Sequence, residues 1–505
     1  MADFNDLNDN TPILVGAGQV VQREANALSP MELAAMATQE AIQDSGASDV
    51  AAHIDTICVT KLFSDSVPKW KSPWGRSNNP PQSVAQHIGA NPRHRIYTQT
   101  GGNEPQSRVI EFAADIAAGT RSLVLITGAE AIKNERHAKR SGAVLDWNEN
   151  FDEPLEDRGF GDQVATSQEM KNNLNNVIYY YALIEQARRN KLGLSVEEHR
   201  KAMAELLESF SEVASTNPYA QFAGKQSAED ILGAANLSHL YTKRMIAQDG
   251  VNQGAALIMC SVAKARELDI AESQWVFIHG MAQGKELELS HRDDPSTSPM
   301  AGQVANEALR MAGLEIDAIG LIDIYSCFPC AVTTVAEQLN LPTDGSKALT
   351  ATGGLPYFGG PGNNYSMHGL AEAVVWARKN TEAYAMVTAN GGVLSKHASG
   401  VYSHRPGNID WSSQTTTLSN ESLKKRSITA DPGQGTIVSY TVHFDADGGA
   451  HAIVLGEAES GERFVACTAA EDTDTAIQML ERDPTGSQIK VSSPIDEQLH
   501  FQFTQ

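Results

Sequence analysis

The sequence predicts an α/β fold built from two copies of one α/β half, with a helical insertion and a small all-β domain at the C-terminal end. Three observations lead there. Residues 12–130 alternate apolar strand-like runs with amphipathic helices, the order of β-α-β units. The order Gly-rich turn, amphipathic helix, apolar strand then occurs twice: as GGNEP, SRVIEFAADIAAG, RSLVLITGAE, and as GGLPYFGGPGNNYSM, HGLAEAVVWARKN, AYAMVTANGG. After residue 405 the pattern changes to short strands between hairpin turns.

TPILVGAGQVV reads as the first strand. Its Gly16-x-Gly18 lacks the third glycine and the nearby helix of a dinucleotide fingerprint, and reads as a strand end. PMELAAMATQEAIQDSG is a helix with Pro30 at its first position and Gly46 just past its end. Strand HIDTICVTKLF, a loop rich in Pro, Trp and Lys, and strand HRIYTQT lead to the first Gly-rich turn, and these crossovers predict a parallel sheet covered on both faces. Residues 131–240 are polar and mostly helical, as in VIYYYALIEQARRNK and SVEEHRKAMAELLESFSEVASTNP, and NQGAALIMCS returns to the core. The second half runs through helix GQVANEALRMAG, strand AIGLIDIYSCFP, helix AVTTVAEQLN and strand-like KALTATGG. RPGNIDWSSQTTTLSNESLKK reads as a linker; GTIVSYTVHF, AHAIVLGEA and RFVACTAA are strands joined by turns DADGG and ESGE. The expected units are 1–130 with 241–280, the insertion 131–240, the second half 281–410, a linker 411–430 and the β domain 431–505.

Composition narrows function. The 505 residues exceed one ordinary core. A formal net charge of −23 argues against nucleic acid or an anionic membrane as partner, but not against an anionic ligand held in a local basic pocket. The five scattered cysteines make no disulfide scaffold and fit a reducing cytoplasm. MADFNDLNDN is too acidic for a targeting peptide, and no apolar run is long enough to span a bilayer.

ELAAMATQEAIQDSG, DGVNQGAALIMCS, LIDIYSCFPCAVTTVAEQL and GGLPYFGGPG followed by HGLAEAV stand in the order in which thiolases carry the corresponding segments. The chain therefore resembles the thiolase superfamily. YTVHFDADGGAHAIVLGEAESGERFVA resembles the added C-terminal domain of the thiolase-like protein type 1 group. The resemblance implies a duplicated thiolase fold in αβαβα layers with an OB-like β domain. It also implies an acyltransferase of the acetyl-CoA acetyltransferase type, acting on carbon–carbon bonds next to a CoA thioester. CoA or acyl-CoA is then the partner, no cofactor stays bound, no metal is needed, and a homodimer forms through core strands.

Thiolases combine a nucleophilic cysteine, a Gly-His-Pro loop, a second cysteine and an Asn- or His-bearing loop, because a thiolate must take the acyl group and an oxyanion hole must hold the enolate. Here the nucleophile aligns with Gly102, the Gly-His-Pro loop reads Gly359-Gly360-Pro361, and the second cysteine falls at Ala389 or Asn390. The fourth loop is Tyr325-Ser326-Cys327-Phe328, which places Cys327 at a strand-to-helix turn where a helix N-terminus lowers a thiol pKa. Its C-x-x-C with Cys330 lacks the second cysteine pair of a zinc site. Thiolase-fold aldolases resemble this chain in another way. They carry Tyr on that loop and a Tyr followed by His-Gly, which here are Tyr325 and Tyr365 with His368-Gly369. The candidate catalytic residues are thus His368, Tyr325, Cys327 and Tyr365. Lys69, Lys71 and Arg76, with Arg136, Lys139 and Arg140, are the candidate cations for CoA phosphates. Retro-aldol cleavage of a β-hydroxyacyl-CoA, or CoA binding without turnover, are the alternatives to acyl transfer.

Overall fold

A computed structural model describes residues 4–407, 409–444, 449–492 and 497–504. Residues 445–448 of the DADGG turn lie outside the described residues. The strands are β1 Pro12–Val21, β2 Thr56–Val59, β3 His94–Tyr97, β4 Leu123–Glu130, β5 Glu156–Asp157, β6 Gln253–Ser261, β7 Val276–Lys285, β8 Ile319–Asp323, β9 Tyr384–Gly391, β10 Lys396–Ser403 and β11 Thr417–Leu418. The β domain adds β12 Gln434–Phe444, β13 Ala450–Ala458, β14 Arg463–Cys467, β15 Gln488–Val491 and β16 Phe501–Phe503.

The main sheet runs β5-β3-β2-β4-β6-β1-β7-β10-β9-β8, with β11 beside β7. Outward from the β1–β7 pair, β1-β6-β4-β2 on one side mirrors β7-β10-β9-β8 on the other. The helices Glu104–Ala117 and Tyr365–Lys379 precede β4 and β9 at equivalent places. Both lie between the two halves: Val109, Phe112 and Ile116 share one core with Met367, Leu370, Val374 and strand residues of each half. The Pro30–Ser45 helix covers the first half from outside, through Leu33, Ala37 and Ala41. Outside the second half, Ala301, Ala305, Val332 and Val335 pack with the insertion helices Val177–Leu192 and Val196–Thr216. These are the five αβαβα layers.

Local chemistry explains these elements. Ser29 caps the Pro30–Ser45 helix in a full capping box with Glu32, and Gly46 ends it in the left-handed conformation. Gly16 and Gly18 have a packing role: a Cβ at either would collide with the carbonyl oxygen of Ala41 or Ala37 on that helix.

The sheet is mixed rather than parallel. Pairs β2–β3, β2–β4 and β8–β9 are parallel, but β6 and β10 run antiparallel to both neighbours. β7 and β10 are buried along nearly their whole length, so their sequences lack the alternation of a half-exposed strand, and the sequence does not mark them. KALTATGG forms no strand; Ile324 N–H donates to the Leu349 carbonyl at 2.9 Å, and Thr350 Oγ1 and Ala351 N–H donate to Asp323 Oδ1 at 2.9 and 2.8 Å. The outer edge of β3 is occupied by β5, with Ile96 facing Glu156 and Tyr97 facing Asp157. A strand-to-strand homodimer at that edge would have to displace β5. Segment 411–430 contains β11, which pairs with β7 through Thr417 and Leu418.

In the β domain the antiparallel order is β14-β13-β12-β15-β16. Cys467 N–H donates to the Leu499 carbonyl at 3.0 Å and draws the sheet ends together in a barrel-like way. The Thr473–Glu481 helix was not anticipated; Ala476 and Met479 plug the core beside Ile437 and Phe464. The domain docks on the Val177–Leu192 helix. Ile453, Leu455 and Val465 share a core with Leu183, Tyr179 stacks on His443 at 4.0 Å, and Ser439 Oγ donates to the Leu183 carbonyl at 2.6 Å. Among the described residues no helix is long and apolar enough to cross a membrane.

Candidate active site

A cavity of about 570 Å³ opens where the turns of the two halves converge. Gly102, Tyr325, Cys327, Gly360 and Asn390 all line it. These are the nucleophile position, the Tyr-Ser-Cys-Phe loop, the former His loop and the second-cysteine position.

Tyr325 follows β8 and reaches across to the other half. A Cβ on Gly102 would lie 2.7 Å from Tyr325 Cζ, closer still to its hydroxyl oxygen, and 2.6 Å from the Asn390 carbonyl. The phenol therefore occupies the space a nucleophilic side chain at 102 would need. Burial, with Cys327 nearby, pushes the Tyr325 hydroxyl well above the usual tyrosine range, so it is a donor.

Cys327 is half-buried on the cavity wall. Asn390 Nδ2 lies 3.6 Å from its Sγ and donates to Tyr181 Oη at 2.8 Å. The helix Pro329–Gln338 starts two residues later, yet burial prevails and pushes the thiol up to about 11. The expected lowering by the helix terminus does not occur. Cys330 is buried in the core, its Sγ 3.6 Å from Tyr241 Oη, and all five cysteines are free thiols.

Tyr365 stands behind Tyr325, ring edge to face at 5.2 Å, with its hydroxyl 2.6 Å from Thr352 Oγ1. His368 lies one turn on, away from the cavity lining. It is fully buried, with Nδ1 2.7 Å from Gln19 Oε1 and its ring against Phe358. Burial lowers its pKa to about 3, so it stays neutral.

The stretch between these loops is a latch. Asn363 Oδ1 accepts from Gly101 N–H at 3.1 Å, and its Nδ2 donates to the Lys61 carbonyl and to Ser66 Oγ, each at 2.8 Å. Ser366 Oγ donates to the Gly102 carbonyl at 2.8 Å. Nothing in the local sequence marks Asn363, Ser366 or Tyr181. Lys396 is marked by its residue type, a cation in an otherwise uncharged buried strand.

The predicted cations divide. Arg136 and Lys139 line a second, outer cavity of about 810 Å³, which shares Phe63, Trp70 and Asp249 with the first as lining residues. Arg136 pairs with Asp249 at 2.6 Å. Arg76 pairs with Asp65 at 2.6 Å, while Lys69, Lys71 and Arg140 are exposed and line neither cavity. Phe63 and Trp70 stack at 4.6 Å where the cavities meet. Among the described residues, no group of three or more His, Cys, Asp or Glu is placed to hold a metal ion.

The mirrored halves, the paired buried helices and the four turns around one cavity define a protein of the thiolase superfamily. Comparison narrows this further. Residues 419–497 match the thiolase-like protein type 1 additional C-terminal domain. The crystal structure of a monomeric SCP2-thiolase like protein type 1 from Mycobacterium smegmatis is 36% identical, with a TM-score of 0.83 over 99% of this chain and 100% of that one. The chain belongs to the thiolase-like protein type 1 family. The Ltp2-ChsH2(DUF35) aldolase shares the fold, with a TM-score of 0.57 at 19% identity over 78% of this chain and 98% of that one. An acetyl-CoA acetyltransferase of Methanocaldococcus jannaschii is 26% identical over 258 residues. That match spans 51% of this chain and 59% of that relative.

Proposed function

We propose that the protein makes or breaks a carbon–carbon bond next to a CoA thioester by aldol-type chemistry, without an acyl-enzyme. One observation carries this reading: the Tyr325 phenol fills the space beside Gly102. Acyl transfer of the acetyl-CoA acetyltransferase type needs a thiolate. The thiol on the cavity wall, Cys327, is held protonated. Aldol cleavage needs none. The β-hydroxyl gives its proton to solvent water, the Cα–Cβ bond breaks, its electron pair becomes the thioester enolate, the β-carbon leaves as an aldehyde or ketone, and the enolate takes a proton from water at Cα. Tyr325 Oη–H would donate to the enolate oxygen as charge develops there. Tyr365 and His368 are positioning residues in this scheme, one backing the Tyr325 ring and the other fixing the helix beneath it.

CoA would enter past the Phe63–Trp70 stack, with its phosphates near Arg136 and Lys139 in the outer cavity. The name of the Methanocaldococcus jannaschii acetyltransferase agrees with a CoA thioester as substrate. The free cysteines fit a reducing cytoplasm.

To test this, the protein is incubated with β-hydroxyacyl-CoA esters and separately with acetoacetyl-CoA plus CoA. Aldehyde or ketone from the first, lost in Tyr325→Phe, is expected. Acetyl-CoA from the second without any lyase product would overturn the reading. A binding protein without turnover is the second reading, favoured by one observation: the cavity lining offers no thiolate, since position 102 is glycine and the Cys327 thiol is held protonated. CoA affinity by calorimetry, with no product from either incubation, would establish it.

A further inference from the structure

Among the described residues, Lys396 is the one cation that lines the inner cavity. It opens β10, opposite Gly391, and its stem passes Gly101: a Cβ there would be 3.7 Å from Lys396 Cδ. The side chain is 7% exposed. Its Nζ donates to the Thr100 carbonyl at 3.0 Å, and among the described residues it has no carboxylate partner within ion-pair distance. Thr100 lines the same cavity, and its Oγ1 is buried without a partner. The wall around them is apolar: Phe160, Val164, Val177 and Ile178.

Burying an ammonium without a counter-ion costs free energy, and such a cost is recovered when an anion binds. We propose that the cavity takes an acyl chain ending in a carboxylate, with Lys396 Nζ and Thr100 Oγ1 as its donors. Three features fit. The ammonium has N–H groups beyond the one on Thr100. The hydroxyl beside it lacks an acceptor. The apolar walls suit methylene groups between thioester and carboxylate. Other charges face the same region: Glu104 and Lys285 act on Lys396 from a distance, and Asp162 lines the wall but is paired with Lys285. Asp162 is therefore not the missing counter-ion.

The inference rests on the CoA-thioester reading for where the chain is anchored, so the test has two arms. In the first, calorimetry compares hexanoyl-CoA with the CoA monothioester of adipate, matched in chain length. The carboxylate ligand is expected to bind about tenfold or more tightly, as one charge-assisted hydrogen bond gives. In Lys396→Met the two ligands should bind equally, and in Thr100→Val the preference should shrink. Equal affinities in the wild type, or a preference that survives in Lys396→Met, would overturn the proposal. The second arm omits CoA. Adipate monomethyl ester should raise the Tm of the wild type and not that of Lys396→Met, with methyl hexanoate as the neutral control. If neither CoA ester binds, the CoA reading falls; a retained Tm shift by the free carboxylate still supports the Lys396 site, and no shift ends it.

Discussion

Position 102 and Tyr325 cannot both carry a full side chain pointing the same way. A Cβ on Gly102 would sit 2.7 Å from Tyr325 Cζ and 2.6 Å from the Asn390 carbonyl oxygen. The halves of the molecule meet here, so the clash would run between two layers and not within one loop.

Restoring a cysteine at 102 should therefore not restore thiolase chemistry. Gly102→Cys is expected to destabilise by about 1–3 kcal/mol, the usual cost of overpacking a filled site. Combined with Tyr325→Ala, part of that cost should return, with a coupling of about 0.5–3 kcal/mol. Urea denaturation of the four variants of the cycle measures it; additive effects would mean that the Tyr325 ring moves aside freely.

Cys327 should be a slow nucleophile. With its thiol pushed up to about 11, little thiolate is present at neutral pH. Iodoacetamide labelling should be slower than for glutathione at pH 7.5 and rise steeply above pH 9. Mass spectrometry after brief labelling checks it. Rapid modification at neutral pH would mean that the thiolate is populated there and that burial does not hold the thiol protonated.

Acid should weaken the fold in part through His368. Its folded pKa is about 3, against 6.5 unfolded, so the unfolded chain binds the extra proton between those values. The stabilising contribution is complete above pH 6.5 and is lost as pH falls toward 3, by about 1.4 kcal/mol per pH unit. His279 and His397, each lowered to about 4 by burial, act in the same direction. Asp323, raised to about 6 by burial, acts in the opposite one. Subtracting the stability–pH curve of His368→Asn from that of the wild type isolates the single residue. Parallel curves would show that the imidazole is accessible to water.

Among the cations, Arg136 and Lys139 should matter for CoA and Arg76 should not. Arg136→Ala with Lys139→Ala is expected to weaken CoA binding about tenfold or more, and the effect should shrink at high salt. Arg76→Ala should leave CoA affinity as it was, because Arg76 lines neither cavity. Calorimetry at two salt concentrations separates these outcomes.

Much of the architecture was legible because it rests on local signals. The Pro30–Ser45 helix announced both of its ends through Ser29-Pro30 and Gly46. The repeat of turn, helix and strand marked the duplication before any contact was known. β10 was missed because KHASGVYS is buried on both faces, which erases the alternation that marks a half-exposed strand. At the site, residue identity marked what was absent at 102 and 360, but not what fills the gap. Tyr325 reaches Gly102 from the other half of the molecule, and Asn363 latches a turn more than 250 residues away. Such pairings are set by layer packing, which no local pattern encodes. His368 shows the converse. Its sequence neighbours resemble an active-site loop, but one turn of helix carries it past the cavity to Gln19.

The Val177–Leu192 helix has two owners. Ile178 and Tyr181 form part of the cavity wall, while Tyr179 and the Leu183 carbonyl are held by the β domain. Lineages that lost the appended barrel would expose one side of this helix and loosen the other. Truncation before the barrel is therefore expected to weaken a wall of the cavity as well, unless the helix is rewritten at the same time.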